Sequence, residues 1–141
     1  MRVSGKWVLF GWMCCMAFVL SGQQVASFQY LSKKDGLSQA SVFAIAQVSA
    51  GFMWFGTRDG LNKFDGYQFK VYKKTNARNS LVANDVSTLY LAPLKKELWI
   101  GANSGLSKYQ STTDDFINYL HDPNDSTSLS NNVIRQIFLD S

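Results

Sequence analysis

The 141-residue sequence is poor in the groups that do covalent or metal chemistry: it has two cysteines and one histidine. Cys14 and Cys15 lie together inside an uncharged apolar run near the N-terminus. A chain processed after that run would hold no disulfide, no thiolate nucleophile and no cysteine metal site. His121 stands alone in "LHDPNDS", so a transition-metal centre lacks a ligand set, and no metal or other cofactor is expected. Charge asymmetry is also missing. Arg2 and Lys6 precede the apolar run, and the rest of the chain carries twelve Lys/Arg against ten Asp/Glu. That balance argues against a nucleic-acid partner, and Lys70, Lys73 and Lys74 beside Tyr67 and Tyr72 read as a solvated strand edge. The phosphate-loop pattern G-x-x-x-x-G-K-S/T is absent, so Gly60 and Gly105 read as turn glycines. No stretch after residue 27 shows a helical apolar stripe.

What is present begins with an export pattern. Met1–Lys6 is short and basic, Trp7–Leu20 is an uncharged run of fourteen, and "SGQQVAS" is small and polar. A membrane span needs roughly 20 apolar residues. The three-part order predicts a signal peptide over residues 1–27, cleaved after Ser21 or Ser27.

Beyond it the sequence repeats. Trp54 and Trp99 are 45 residues apart, as are Gly56 and Gly101, Gly60 and Gly105, Leu61 and Leu106, Lys63 and Lys108, and Phe64 and Tyr109. Leu37, Val42 and Ile45 match Leu81, Val86 and Leu89 at a spacing of 44, and Leu129, Ile134 and Ile137 match that second set at 48. Each unit parses into four short β-prone segments: "SVFAIAQV", "FMWFGT", "GLNKF" and "YQFKVYK", then "DVSTLYL", "ELWIG", "GLSKY" and "DFINYL". Four antiparallel strands in ~40–45 residues is the size of one propeller blade, which buries its sheet faces only by stacking on neighbours. The expected fold is therefore all-β. It has about two complete four-stranded antiparallel blades, the start of a third, and an incomplete ring. The expected division is a leading strand over 28–36 that would close the last blade, a first repeat over 37–80, a second over 81–128, and the start of a third over 129–141. Sheet faces left without neighbours would be prone to associate.

"LWIGANSGLSKY", "MWFGTRDGLNKFDGY" and the linkers "NARNSLVANDV" and "DPNDSTSLSNNVI" resemble the two-component regulator propeller repeat. The resemblance covers about residues 28 to 141. It implies the periplasmic sensor region of a bacterial hybrid two-component histidine kinase, of which this chain would be an N-terminal fragment. It further implies a response to oligosaccharides, with the remaining blades of the parent sensor as partners. The context of His121 is unlike a phospho-acceptor motif, so no kinase activity is expected here. The alternatives are a secreted propeller enzyme acting on glycans and a protein-interaction scaffold.

Candidate sites are few. Trp54 and Trp99 could stack on sugar rings, but their recurrence with Gly56 and Gly101 favours packing between sheets. Asp59, Asp65, Asp114, Asp115, Asp122 and Asp125 could form a glycosidase or calcium site, but they fall in turns and linkers where Asp bonds to local backbone. No catalytic residue is assigned. Arg58 is the one ligand-binding candidate, because its counterpart is Asn103 and the repeat does not require an arginine there.

Overall fold

The computed structural model describes residues 28–48 and 51–138. The predicted signal peptide, with Cys14 and Cys15, lies outside the described residues, as do Ser49, Ala50 and residues 139–141. Eight strands fold as two separate four-stranded antiparallel sheets that do not close into a ring. The first contains β1 (Val42–Gln47), β2 (Met53–Thr57), β3 (Gly60–Phe64) and β4 (Phe69–Tyr72). The second contains β5 (Val86–Ala92), β6 (Glu97–Ala102), β7 (Gly105–Gln110) and β8 (Asp115–Tyr119). Within each sheet, strand order follows chain order, as a meander requires. The all-β expectation holds: among the described residues the one helical element is a 3-10 turn at Lys33–Asp35, and no helix is long and apolar enough to cross a membrane.

The strands arise where the sequence pattern places them, and the two sheets share detail. Gly60 and Gly105 open β3 and β7 with φ of 120° and 138°, the turn geometry that favours glycine. The register slips between Val42 and Ala44 in β1, and again between Val86 and Thr88 in β5. A β-bulge therefore sits at the same place in each repeat and sharpens the local twist. Phe28–Leu31, expected as the strand that would close the last blade, pairs with no strand among the described residues, and Leu31 packs near Leu37, Phe55 and Phe64 on the outer face of the first sheet. Residues 129–138 are likewise irregular. They are tied to the second sheet where the Ile134 amide donates to the Ala102 carbonyl at 3.0 Å.

The linkers show what their polar motif does. The Lys74 and His121 amides, just past the last strand of each unit, donate to Asn84 and Asn132 Oδ1, both at 2.7 Å. The Thr75 and Asp122 amides donate to Ser80 and Ser128 Oγ at 3.1 and 2.9 Å. The Ser-Leu and Asn elements thus fold each linker by side-chain-to-backbone bonds. Each linker then returns to the middle of the next sheet. The Ser38 amide donates to Asn62 Oδ1 at 2.8 Å, and the Val82 amide to Ser107 Oγ at 3.1 Å. Asn62 and Ser107 are fully buried polar residues, and these bonds satisfy them.

The main core is the seam between the sheets. Trp54, Leu61 and Tyr72 of the first sheet meet Leu81, Val86, Leu98, Ile100 and Phe116 of the second unit. Trp54 is 1% exposed, with its ring 4.7 Å from Tyr109 edge-on and 5.7 Å from Tyr72 in a stack. Gly56 allows the sheets to approach: a Cβ there would lie 2.7 Å from Val86 Cγ1.

Candidate functional site

The functional geometry of this chain lies at the outer part of the seam. Cross-strand pairing puts Trp54 opposite Lys63, and Lys63 opposite Lys70, so the three share the face of the first sheet that meets the second. Tyr72 lies on the same face and Tyr109 comes from β7 of the neighbouring sheet. The tight turn between β7 and β8 holds Asp114 at φ 58°, with its amide bonded to the Gln110 carbonyl at 2.8 Å. That turn aims the Asp114 carboxylate back across the seam. Its Oδ1 accepts from the Tyr72 and Tyr109 hydroxyls, each at 2.6 Å, and its Oδ2 pairs with Lys70. Lys63 Nζ donates to the Tyr109 oxygen at 3.3 Å. One polar chain therefore runs Lys70–Asp114–Tyr109–Lys63 and crosses between the sheets twice.

Its electrostatics are those of a clasp. Burial pushes Asp114 upward, and the hydrogen bonds from Lys70, Tyr109 and Tyr72 outweigh it, drawing the carboxyl down to about 2. Burial, then the bond to Asp114, raises Tyr109 to about 12, and raises Tyr72 in the same way. All three groups are locked in their ordinary ionisation states at neutral pH. They suit holding two blades together and do not suit proton transfer.

Beside the clasp is a cavity of about 200 Å³ between the sheets, lined by Val48, Phe52, Trp54, Lys63, Lys96, Leu98, Tyr109 and Ser111. The Trp54 indole Nε1 is buried without a hydrogen-bond partner. Lys63 Nζ lies 4.3 Å from the Phe52 ring centroid and 5.4 Å from that of Trp54.

The residues singled out in the sequence are placed as follows. Arg58 lies in the exposed turn between β2 and β3. Its amide donates to Gln39 Oε1 at 3.0 Å and its guanidinium stands 4.9 Å from the Phe43 ring centroid. It is at the opposite end of the β2–β3 hairpin from Lys63 and takes no part in the cavity. Trp54 is a packing residue. Trp99 is half-buried on the outer face of the second sheet, 5.5 Å from Tyr119, and borders a groove of about 360 Å³ with Ile137 and Phe138.

The acids do not converge. Asp59 pairs with Lys73 at 2.7 Å, and Asp122 accepts from the Asn124 amide at 2.9 Å. Asp65 is held low by the Gln68 and Tyr67 amides, Asp115 by Thr113 and Asn79, and Asp125 by Thr127. Among the described residues no group of three or more His, Cys, Asp and Glu is placed to hold a metal ion. Sequence reasoning missed the roles of Lys63, Tyr109 and Asp114. The signal was available for Lys63: its repeat mate Lys108 stands near Glu97, while the residue 45 places before Glu97 is Phe52.

The comparisons agree with the fold. The family model described as "Two component regulator propeller" matches residues 36–59, the run from the first linker through β2. Over those residues the chain is similar to the two-component regulator propeller repeat. A curated relative, Histidine kinase P4 of Formosa agariphila, is 56% identical over 46 residues, which is 33% of this chain and 3% of that protein. The extracellular domain of a proposed hybrid two component system from B. thetaiotaomicron superposes with a TM-score of 0.68 at 36% identity, over 74% of this chain and 15% of that one. A second such domain from the same organism, at 22% identity and TM-score 0.55, covers 67% of this chain and 14% of the other, and shares the fold. The propeller repeats seen here thus span a small part of the length of each relative. They resemble the extracellular sensor part of such systems rather than a catalytic domain, and no kinase domain is evident in this chain.

Proposed function

We propose that this chain is part of the ligand-sensing propeller of a hybrid two-component system, that it works outside the cytoplasm, and that it responds to oligosaccharides without acting on them chemically. The observation that carries the reading is the 36% identity and TM-score of 0.68 to an extracellular domain of such a system over 74% of the chain. The basic start and the fourteen-residue apolar run support export.

The absence of catalysis is argued from the acids. Cleavage of a glycosidic bond needs two facing carboxyls, one of them with a raised pKa so that it can act as an acid near neutrality. Here Asp65, Asp114, Asp115 and Asp125 are all drawn downward by hydrogen bonds, and Asp59 is paired with Lys73. The His121 ring is bonded through Nδ1 to the Leu129 carbonyl at 2.6 Å, which occupies it in the linker.

The test is calorimetric titration of the chain with a panel of oligosaccharides, each recovered afterwards and sized by chromatography. Saturable binding with intact sugar is expected. Cleaved product would replace the sensor reading with the glycan-enzyme one, and no binding across neutral and acidic panels would remove the oligosaccharide.

A further inference from the structure

We propose that the cavity between the two blades is a binding site for an acidic monosaccharide unit, whose carboxylate or sulfate is received by Lys63 and whose ring lies against Phe52. The inference rests on the ligand-sensing reading for the sugar and on the geometry of the cavity for the charge.

The first argument comes from the break in the repeat. Lys108 in the second sheet pairs with Glu97 at 3.4 Å and lies 5.5 Å from the Trp99 ring centroid. Lys63 holds the same place in the first sheet, and Phe52 replaces the glutamate. Lys63 is half-buried and forms no ion pair with any described residue. Its protein partners are the Tyr109 oxygen and the rings of Phe52, Trp54 and Tyr109. The Tyr109 hydrogen already goes to Asp114, so that carboxylate stands behind the tyrosine. An ammonium has three donors, and one bond to a neutral oxygen leaves two of them for a ligand.

The second argument is independent. Trp54 is 1% exposed and its Nε1 donor has no partner, which is unusual for a buried polar atom. Trp54, Lys63, Lys96 and Ser111 all line the cavity, and none of the lining residues is acidic. Lys96 is set at the rim by a turn with φ 53°, closed by its amide to the Ala92 carbonyl at 2.8 Å. Two cations and an aromatic wall select an anion with a flat or ring-shaped body, and the buried Trp54 ring forms part of that wall. The volume of about 200 Å³ is below the usual range of ~300–1,000 Å³ for drug-sized ligands and fits a single sugar unit.

The experiment titrates the chain with D-glucuronate, glucose 6-sulfate, D-glucose and inorganic sulfate. Binding is read by calorimetry and by the Trp54 indole N–H resonance. The two acidic sugars should shift that resonance, and D-glucose should not. K63Q should weaken acidic-sugar binding at least tenfold, while K108Q leaves it unchanged. K96Q provides a second reading at the rim should K63Q lose its fold, and is expected to weaken binding severalfold. The proposal is overturned if glucose binds as tightly as glucuronate, if K63Q and K96Q both bind as the parent does, or if no acidic sugar moves the resonance. Sulfate alone binding as tightly as the sugars would mark an inorganic-anion site and overturn the sugar. Neutral oligosaccharides binding elsewhere, with no response at Trp54, would sink this site and leave the sensor reading standing.

Discussion

Trp54 and Trp99 occupy the same position in successive repeats, and their surroundings differ completely. Trp54 is sealed in the seam between Tyr72 and Tyr109. Trp99 stands on the outer face of the second sheet, beside Tyr119 and the irregular residues 137–138. Their glycines behave more alike. A Cβ at Gly56 would meet Val86 at 2.7 Å, and one at Gly101 would meet Ile134 at 2.6 Å. The third linker thus begins to build against Trp99's sheet the contact that β5 makes against Trp54's. Burial here is a property of the neighbouring blade as much as of the residue. One sequence motif yields a core residue where a blade packs against it and a half-open aromatic face where the described residues 129–138 do.

The largest test of that difference is truncation of each tryptophan. Trp54→Ala should cost about 3–5 kcal/mol, the range for a large buried aromatic. Trp99→Ala in the same chain should cost about 1–2 kcal/mol, as expected for a half-buried ring. Denaturant melts of the two variants measure the gap, and equal losses would break the comparison. Next is the close approach at the seam. Gly56→Ala should destabilise by about 1–3 kcal/mol, because the added carbon cannot fit against Val86 without moving the sheets apart. A melt of Gly56→Ala unchanged from the parent would show that the seam is looser than described.

The clasp gives a smaller, pH-dependent effect. Asp114 has a folded pKa lowered to about 2, so its contribution is complete above its unfolded value and disappears as pH falls from about 4 to 2. The shift is discounted because 37% of the side chain is exposed. Asp114→Asn should therefore cost about 1 kcal/mol near neutrality and flatten the stability profile between about pH 4 and 2. A variant that kept the acid slope of the parent would place that titration elsewhere. The smallest effect is expected at the turn: Arg58→Ala should change stability by less than about 0.5 kcal/mol, since the bond to Gln39 comes from the backbone amide and survives, and the guanidinium faces an exposed ring.

Much of the fold was legible because a repeat states each strand twice. The recurring Trp, Gly and Leu positions located all eight strands, and the turn glycines announced their positive φ. The linker motif was visible as a pattern, but its work was not. That Asn84, Asn132, Ser80 and Ser128 bond backbone amides depends on folded geometry between residues five to eleven apart. The leading segment is expected to become a strand on the edge of the last blade, and without that edge Phe28–Leu31 pairs with no strand here. The site was less legible. Arg58 drew attention because it breaks the repeat in charge, but its neighbours turned out to be local. The more consequential break, Phe52 for Glu97, replaces a charged residue by an apolar one. Its meaning appears only when β2 and β3 pair and leave Lys63 without a carboxylate. The Asp114 clasp joins residues 42 and 44 apart and was read as an ordinary turn acid.

The seam is the central claim, and hydrogen exchange of the Trp54 and Trp99 indole N–H groups tests it most directly. Trp54 Nε1 has no hydrogen-bond partner, so protection there reports exclusion of water by the neighbouring blade alone. The account predicts that the Trp54 indole exchanges at least about 100-fold more slowly than the Trp99 indole, as a core group does against a face that opens freely. Equal rates for the two would mean that the first and second blades are not stacked through Trp54.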